Sequence, residues 1–302
     1  MNMRSKIGVL ALVLGAACGS DSGPGGNLDP SSYPGDGYVS WNMSAAGSGA
    51  NTATEASARV VWASNSSLGN YLADGSGRAL YMFANDLPGT NSSACSGACL
   101  DKWPVFDGQA LTLGPNLMMS DFTRFARADG TYQTAFRGRP LYRFATDAAN
   151  SVSGDAVGGR WYVARDYSAF VAAKMDVTPQ GASAPAPFMT NRAGRTVYVF
   201  MNDTAGSATI KPSSACADAC LAMWPAWAAP AALQTMILPS SMKVTDFGLF
   251  ERTVDGNAMQ QLTYRGFPLY FHTPDTAPGA TSGHMSGAWR AIDPTAFASA
   301  TK

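Results

Sequence analysis

Charge is scarce in this 302-residue sequence: Lys, Arg, Asp and Glu together make up 14% of it, about half the usual share for soluble domains. The formal net charge is +0, and no basic stripe runs along the chain. Phosphate binding needs clustered Lys and Arg, so nucleic acid is excluded as an expected partner. Histidine is nearly absent, with only His272 and His284. There is no Gly-x-Ser-x-Gly elbow, no His-Glu-x-x-His and no phosphate-cradling glycine loop. No apolar run reaches the roughly 20 residues that a membrane-spanning helix needs. What the chain does have is 46% apolar residues, enough for a substantial core. Its surface then has to be built from Gly, Ser, Thr, Asn and Ala.

The longest apolar run, Ile7 to Ala17, follows Arg4 and Lys6. A short positive region ahead of such a run reads as a signal peptide. The run ends in Leu14-Gly15-Ala16-Ala17-Cys18, which resembles the lipobox of bacterial lipoproteins, where small residues precede a cysteine that is lipidated. Gly15 stands where the lipobox usually has Leu. The alternative is a plain secretory signal cut near Ala17, leaving Cys18 free. Residues 1–18 are therefore read as signal and lipidation site, with Cys18 as the membrane anchor. Gly19 and Ser20, with no Asp after the cysteine, imply by that resemblance an outer-membrane address. Acylation with more than one chain gives stable anchoring where a single chain is marginal. Residues 19–56 are rich in Gly, Ser, Pro, Asn, Ala and Thr and read as a flexible tether.

Beyond the tether the chain repeats itself. LADGSGRALYMFAND at 72–86 matches MTNRAGRTVYVFMND at 189–203, and each leads to a cysteine pair and a Trp-Pro. DGTYQTAFRGRPLYRFATD at 129–147 matches DGNAMQQLTYRGFPLYFHTPD at 255–275. The result is a tandem duplication, 57–175 and 176–297. Each copy also looks internally doubled. A Tyr-x-aromatic-x-x-Asp unit recurs at Tyr81, Phe83 and Asp86; at Tyr142, Phe144 and Asp147; at Tyr198, Phe200 and Asp203; and at Tyr270, His272 and Asp275. A tryptophan follows each: Trp103, Trp161, Trp224 and Trp289. Every quarter reads as about four short strands, the first as 59–64, 70–74, 78–84 and 103–106. Helix signals are weak and fall around the cysteine pairs and over 166–173. The expected fold is all-β, with four quarters closing into a four-bladed, propeller-like ring. Two separate β domains, one per copy, are the alternative.

These units, the Gly-Arg-x-Leu-Tyr lead-in and the Cys-x-x-x-Cys before Trp-Pro resemble the secreted-repeat family of predicted bacterial lipoproteins with a Yx(FWY)xxD motif. The likeness covers almost all of the expected folded part and implies no known activity. The departures are His272 in the aromatic place and Gly283-His284-Met285 where the first copy has Gly154-Asp155-Ala156.

Residues i and i+2 of a strand share a face, so Tyr81 and Phe83 should both enter a core. The aspartate, at the strand end, should accept backbone N–H bonds. Alternatively, four equivalent aspartates around a ring could converge on a hard cation. The remaining cysteines allow three pairings. Residues i and i+4 on one helical turn lie within disulfide reach, and duplication favours Cys95–Cys99 and Cys216–Cys220. A strained bridge could be redox-active, and Cys, His and Met are ligands that soft copper prefers. The first copy has no histidine, however, so a metal site common to both copies cannot use one. Asp121, Asp129, Asp246, Glu251 and Asp255 are formally available as paired carboxylates, but their strand and turn contexts favour solvated roles. The expected function is a non-enzymatic, lipid-anchored envelope module that binds an envelope or extracellular ligand or plays a structural part, with no cofactor. The alternative is an envelope redox or copper-type protein using its cysteine pairs.

Overall fold

A computed structural model describes residues 58–172 and 186–298. Cys18, the signal peptide, the tether and the expected 175/176 junction lie outside the described residues. The fold is mostly β. In the first copy the strands are β1 (Arg59–Asn65), β2 (Gly69–Asp74), β3 (Tyr81–Phe83), β4 (Thr112–Leu113), β5 (Phe122–Ala126), β6 (Tyr132–Phe136), β7 (Arg139–Pro140) and β8 (Trp161–Val163). β9 (Ala169–Ala172) ends the first copy, and the second has β10 (Phe188–Asn191), β11 (Tyr198–Phe200), β12 (Phe247–Val254), β13 (Asn257–Tyr264), β14 (Phe267–Pro268) and β15 (Trp289–Ala291). One helical turn follows each cysteine pair's start, α1 (Cys99–Lys102) and α2 (Ala219–Met223).

Local chemistry sets the turns. The Asn65 side chain accepts the N–H groups of Ser67 and Leu68 and so folds β1 back onto β2. Asp74 does the same for Ser76 and Arg78 at the end of β2. The β6–β7 turn uses Arg137 and Gly138 at φ 48° and 76°, the two positive values a tight hairpin turn requires. Arg137 accepts that conformation while its guanidinium is paired to Asp121 and Asp166. Arg265 and Gly266 repeat the turn in the second copy.

The quarters do not stand as separate blades. β3 of the first quarter pairs with β8 of the second, placing Tyr81 opposite Val163 and Phe83 opposite Trp161. Tyr81 and Tyr142 also exchange both backbone hydrogen bonds, at 2.8 and 3.0 Å. β11 and β15 are paired in the same way, and Tyr198 and Tyr270 exchange bonds at 2.9 Å each. The described strands form six sheets of two or three strands, none of them closed. What these sheets show is a mostly β tandem repeat in which the quarters are joined in interleaved pairs, without a closed sheet among the described strands. The expected helix signal over 166–173 is corrected. Its apolar run is β9, which pairs antiparallel with β10; a short apolar run satisfies either period, and the neighbouring strand decides.

Strand alternation gives each copy two cores. In the first copy, Leu72, Leu80, Met82 and Tyr162 point into one cluster with Phe106, Phe136 and Leu141. Tyr71, Tyr81, Phe83 and Trp161 point the opposite way, into a cluster with Trp103, Tyr142 and Phe144. The second copy repeats the division, with Met189, Val197, Val199 and Leu262 in one cluster and Phe188, Tyr198, Trp224, Tyr270 and Trp289 in the other. The copies also touch. Ile237 packs on the first copy's cluster and Leu87 on the second's aromatic cluster. The Tyr162 hydroxyl donates to Ser241, and Arg192 pairs with Asp166.

Candidate functional site

The motif residues meet across quarters. The Tyr142 hydroxyl donates to Asp86 at 2.5 Å, and Tyr81 donates to Asp147. Each tyrosine of one quarter therefore serves the aspartate of the other. The second copy repeats the exchange, Tyr270 with Asp203 at 2.7 Å and Tyr198 with Asp275. The other carboxylate oxygen accepts a backbone N–H from the loop beyond: Ala94 on Asp86, Ser153 on Asp147, Ala215 on Asp203 and Ser282 on Asp275. All four aspartates are buried. Burial pushes the Asp86 carboxyl up to about 6, against the pull of the Tyr142 hydroxyl, the Ala94 N–H and the charges of Arg139 and Arg127. Burial also raises Asp203. The four tyrosine hydroxyls are held well above their ordinary range, first by burial and then by the facing carboxylates.

The aromatic position and the following tryptophan are exchanged too. Trp103 and Trp161 stack face to face with centroids 3.8 Å apart and planes 2° from parallel. Phe83 covers the outer face of Trp161 at 4.2 Å, and Phe144 covers Trp103 at 4.6 Å. The order is Phe83, Trp161, Trp103, Phe144, with members alternating between pairs from the two quarters. Such contacts contribute about 0.5–1.5 kcal/mol each beyond area burial. In the second copy the stack is Phe200, Trp289, Trp224, His272, with the tryptophans again 3.8 Å apart and the His272 ring on Trp224 at 4.2 Å. His272 turns Nδ1 toward Ser282 Oγ at 3.1 Å. Gly154 and Gly283 lie against the stacks; a Cβ on Gly154 would sit 2.8 Å from Tyr81 Cζ and 2.9 Å from Trp103.

The cysteines form two local disulfides, Cys95–Cys99 and Cys216–Cys220. A continuous polar network fixes each loop. The Tyr142 hydroxyl, already on Asp86, also bonds Ser93, whose oxygen accepts the Cys95 N–H. Arg127 donates to the Cys95 carbonyl at 2.7 Å and to Gln133, which donates to the Leu141 carbonyl. Tyr270, Ser214, Cys216, Arg252, Gln261 and Leu269 repeat it. Sequence reasoning singled out neither arginine, glutamine nor serine. The signal was there in the Ser-Ala-Cys shared by both copies and in the Arg and Gln flanking each Asp-Gly turn.

Each arginine lines a surface cleft. The first, about 450 Å³, is bordered by Asn91, Ser92, Ser93, Ser96, Arg127 and Asp129. The second, about 620 Å³, is bordered by Lys211, Pro212, Leu249, Phe250, Glu251, Arg252, Thr253 and Gln260.

The other sequence candidates separate. The four motif aspartates do not gather: among the described residues no three of His, Cys, Asp and Glu lie close enough to hold a metal ion. Asp121 and Asp246 are ion-paired at equivalent places, to Arg137 and Arg265. His284 accepts the Ala291 N–H on Nδ1, the place Asp155 takes for Val163 in the first copy. Burial and Arg290 lower its pKa.

No helix among the described residues is long and apolar enough to cross a membrane. No curated protein and no solved structure matches the chain. A family model described as a secreted repeat of unknown function matches three stretches, residues 63–107, 123–165 and 187–228. Each stretch carries one Tyr-x-Phe-x-x-Asp unit and its tryptophan, and the fourth quarter lies beyond them. Residues 63–228 are a tandem array of that repeat, and the chain belongs to this family of secreted repeats.

Proposed function

We propose that this chain is a non-enzymatic envelope module, tethered to a membrane through lipidated Cys18 and presenting a rigid duplicated body to a ligand or partner. One observation carries the reading: the side chains that recur in every quarter or in both copies are spent on one another. The tyrosines bond the aspartates, the tryptophans stack, and the cysteines close local bridges. A reactive group needs a free position beside a substrate, and these have none. Among the described residues, the two arginine clefts offer surfaces for recognition. The lipobox-like run before Cys18 and the Gly/Ser/Pro-rich stretch after it support an anchor followed by a spacer.

Membrane fractionation and intact-mass measurement of the full chain test this. Wild type is expected in the membrane fraction, carrying the mass of its lipid. Cys18→Ala is expected in the soluble fraction with unchanged near-ultraviolet circular dichroism. Wild type that is unacylated and soluble, or a variant that stays with the membrane, refutes the tether.

A further inference from the structure

The two arginine clefts differ in one respect that bears on what they bind. In the first copy the hairpin turns immediately after Arg127. The Arg127 N–H donates to the Thr131 carbonyl at 2.9 Å, and Asp129 in the turn folds back so that its carboxylate meets Arg127 Nε at 3.2 Å. In the second copy the same arginine is followed by a longer hairpin. Arg252 lies opposite Met259, the ladder runs on to Val254 opposite Asn257, and the turn is Asp255-Gly256 at φ 49° and 78°. The Asp-Gly pair that neutralises the first arginine has been carried outward past the second.

The consequence is visible at the guanidinium. Arg252 still bonds the Cys216 carbonyl at 2.6 Å, Gln261 at 3.0 Å and Ser214 at 3.2 Å. Its Nε is buried without a partner. No carboxylate among the described residues forms an ion pair with Arg252 in the way Asp129 does with Arg127. Asp203 feels the Arg252 charge, but its oxygens are taken by Tyr270 and the Ala215 N–H. Lys211 and Glu251 on the cleft wall cancel in formal charge. A buried N–H of a cation with nothing to donate to is costly, and a carboxylate is its strongest complement. Beside it the cleft presents Pro212, Phe250 and Leu249, and Leu249 is 46% exposed.

We infer that the second-copy cleft is a binding site for a carboxylate attached to an apolar group, drawn to the Arg252 guanidinium that lines it and that lacks the internal carboxylate Arg127 has. A peptide C-terminus with an apolar last residue and a free acylated amino acid share that chemistry. The first copy carries its own carboxylate and is self-occupied. The inference deepens the binding role proposed above and rests on it.

The test uses the full chain labelled with 15N-arginine and follows the Nε–Hε signals during titration. The probe is N-acetyl-leucine; N-acetyl-leucinamide, which lacks the carboxylate, and inorganic phosphate at matched ionic strength are the controls. N-acetyl-leucine is expected to shift the Arg252 signal saturably and to leave Arg127 in place, with neither control doing so. A short peptide ending in leucine, titrated with and without C-terminal amidation, separates the two sources. Lys211→Ala, at an exposed wall position, should weaken binding about two- to five-fold, and Leu249→Glu should abolish it. No saturable shift of Arg252, an equal shift of Arg127, or an equal response to the amide or to phosphate overturns the inference. The Cys18 fractionation does not depend on any of these outcomes, so the two readings fail separately.

Discussion

Asp86→Asn removes a charge from the middle of the first copy while keeping the side chain's shape. Asp86 accepts the Ala94 N–H on one oxygen at 2.7 Å and the Tyr142 hydroxyl on the other. Asparagine can keep both contacts. Its carbonyl oxygen accepts the Ala94 N–H, and its amide donates to Tyr142, whose own proton then turns to Ser93, already within bonding distance. What changes is the electrostatics. Burial lifts the folded-state carboxyl from an ordinary 3.8 to about 6, so the folded chain holds this proton more tightly than the unfolded chain does. A carboxyl raised in this way gives its stabilisation below pH 4 and loses it as pH climbs to 6. At 1.36 kcal/mol per tenfold in proton affinity, the loss is about 3 kcal/mol.

The expected outcome has two readouts. The Asp86 carboxyl 13C shift should titrate near pH 6. The denaturation free energy of wild type minus that of Asp86→Asn should fall by about 3 kcal/mol between pH 4 and pH 7.5, because only wild type carries the titrating group. Taking the difference cancels the other carboxylates common to both chains. A difference that is flat with pH, or that rises with it, would refute the reasoning. A rise would mean that Tyr142, Ala94, Arg139 and Arg127 outweigh desolvation, leaving the carboxylate more stable than in water.

Two further perturbations probe the frame. Gly154→Ala places a Cβ within 3 Å of the Tyr81 and Trp103 rings, both fixed by stacking or bonding, so a loss of about 1–3 kcal/mol is expected from overpacking; an unchanged thermal midpoint by near-ultraviolet circular dichroism would show that the stack yields. Asp218→Gly should act in the opposite direction: Asp218 holds φ 47° and ψ −120°, a region costing a non-glycine residue about 1–3 kcal/mol, and after about 1 kcal/mol of added chain entropy a net gain near 1 kcal/mol is expected in denaturant unfolding. A lower midpoint for that variant would mean that the aspartate side chain repays its backbone strain.

Local periodicity made much of the frame legible. β1 and β2 match the segments 59–64 and 70–74 to within one residue, and β3 falls within 78–84, all read from alternation and turn residues. Tyr81 and Phe83 share a core face because the strand period is two. The tyrosine–aspartate partners were not visible, because those bonds are long-range. Tyr142 meets Asp86 across 56 residues and Tyr198 meets Asp275 across 77, and no local pattern encodes which aspartate a tyrosine will find. A count of four quarters likewise does not say how they meet: strands of one quarter pair with strands of the next, β3 with β8 and β11 with β15. The segment 103–106, read as a strand, contributes only a bridge from Val105 to Tyr142. Trp103 there is spent on stacking with Trp161.

That trading sets what the smallest self-sufficient unit can be. A quarter alone would leave Tyr81 without Asp147 and Trp103 without Trp161, with a buried carboxylate facing no hydroxyl in place of each pair. Two quarters supply each other's tyrosine, aspartate and tryptophan partners, and the duplicated unit is such a pair. The same logic says where sequence can drift. His272 departs from the motif, yet it keeps the flat ring that Trp224 requires, at 4.2 Å and 25°. Tyr270 and Asp275 keep their partners. The fourth quarter has changed most in the length of its hairpin, outside the exchanged network. With the longer hairpin, Arg252 lacks the carboxylate that Arg127 has, while the tyrosine–aspartate bonds are the same in both copies. The difference between the copies thereby falls on a surface of the second copy, the cleft to which the carboxylate inference above applies.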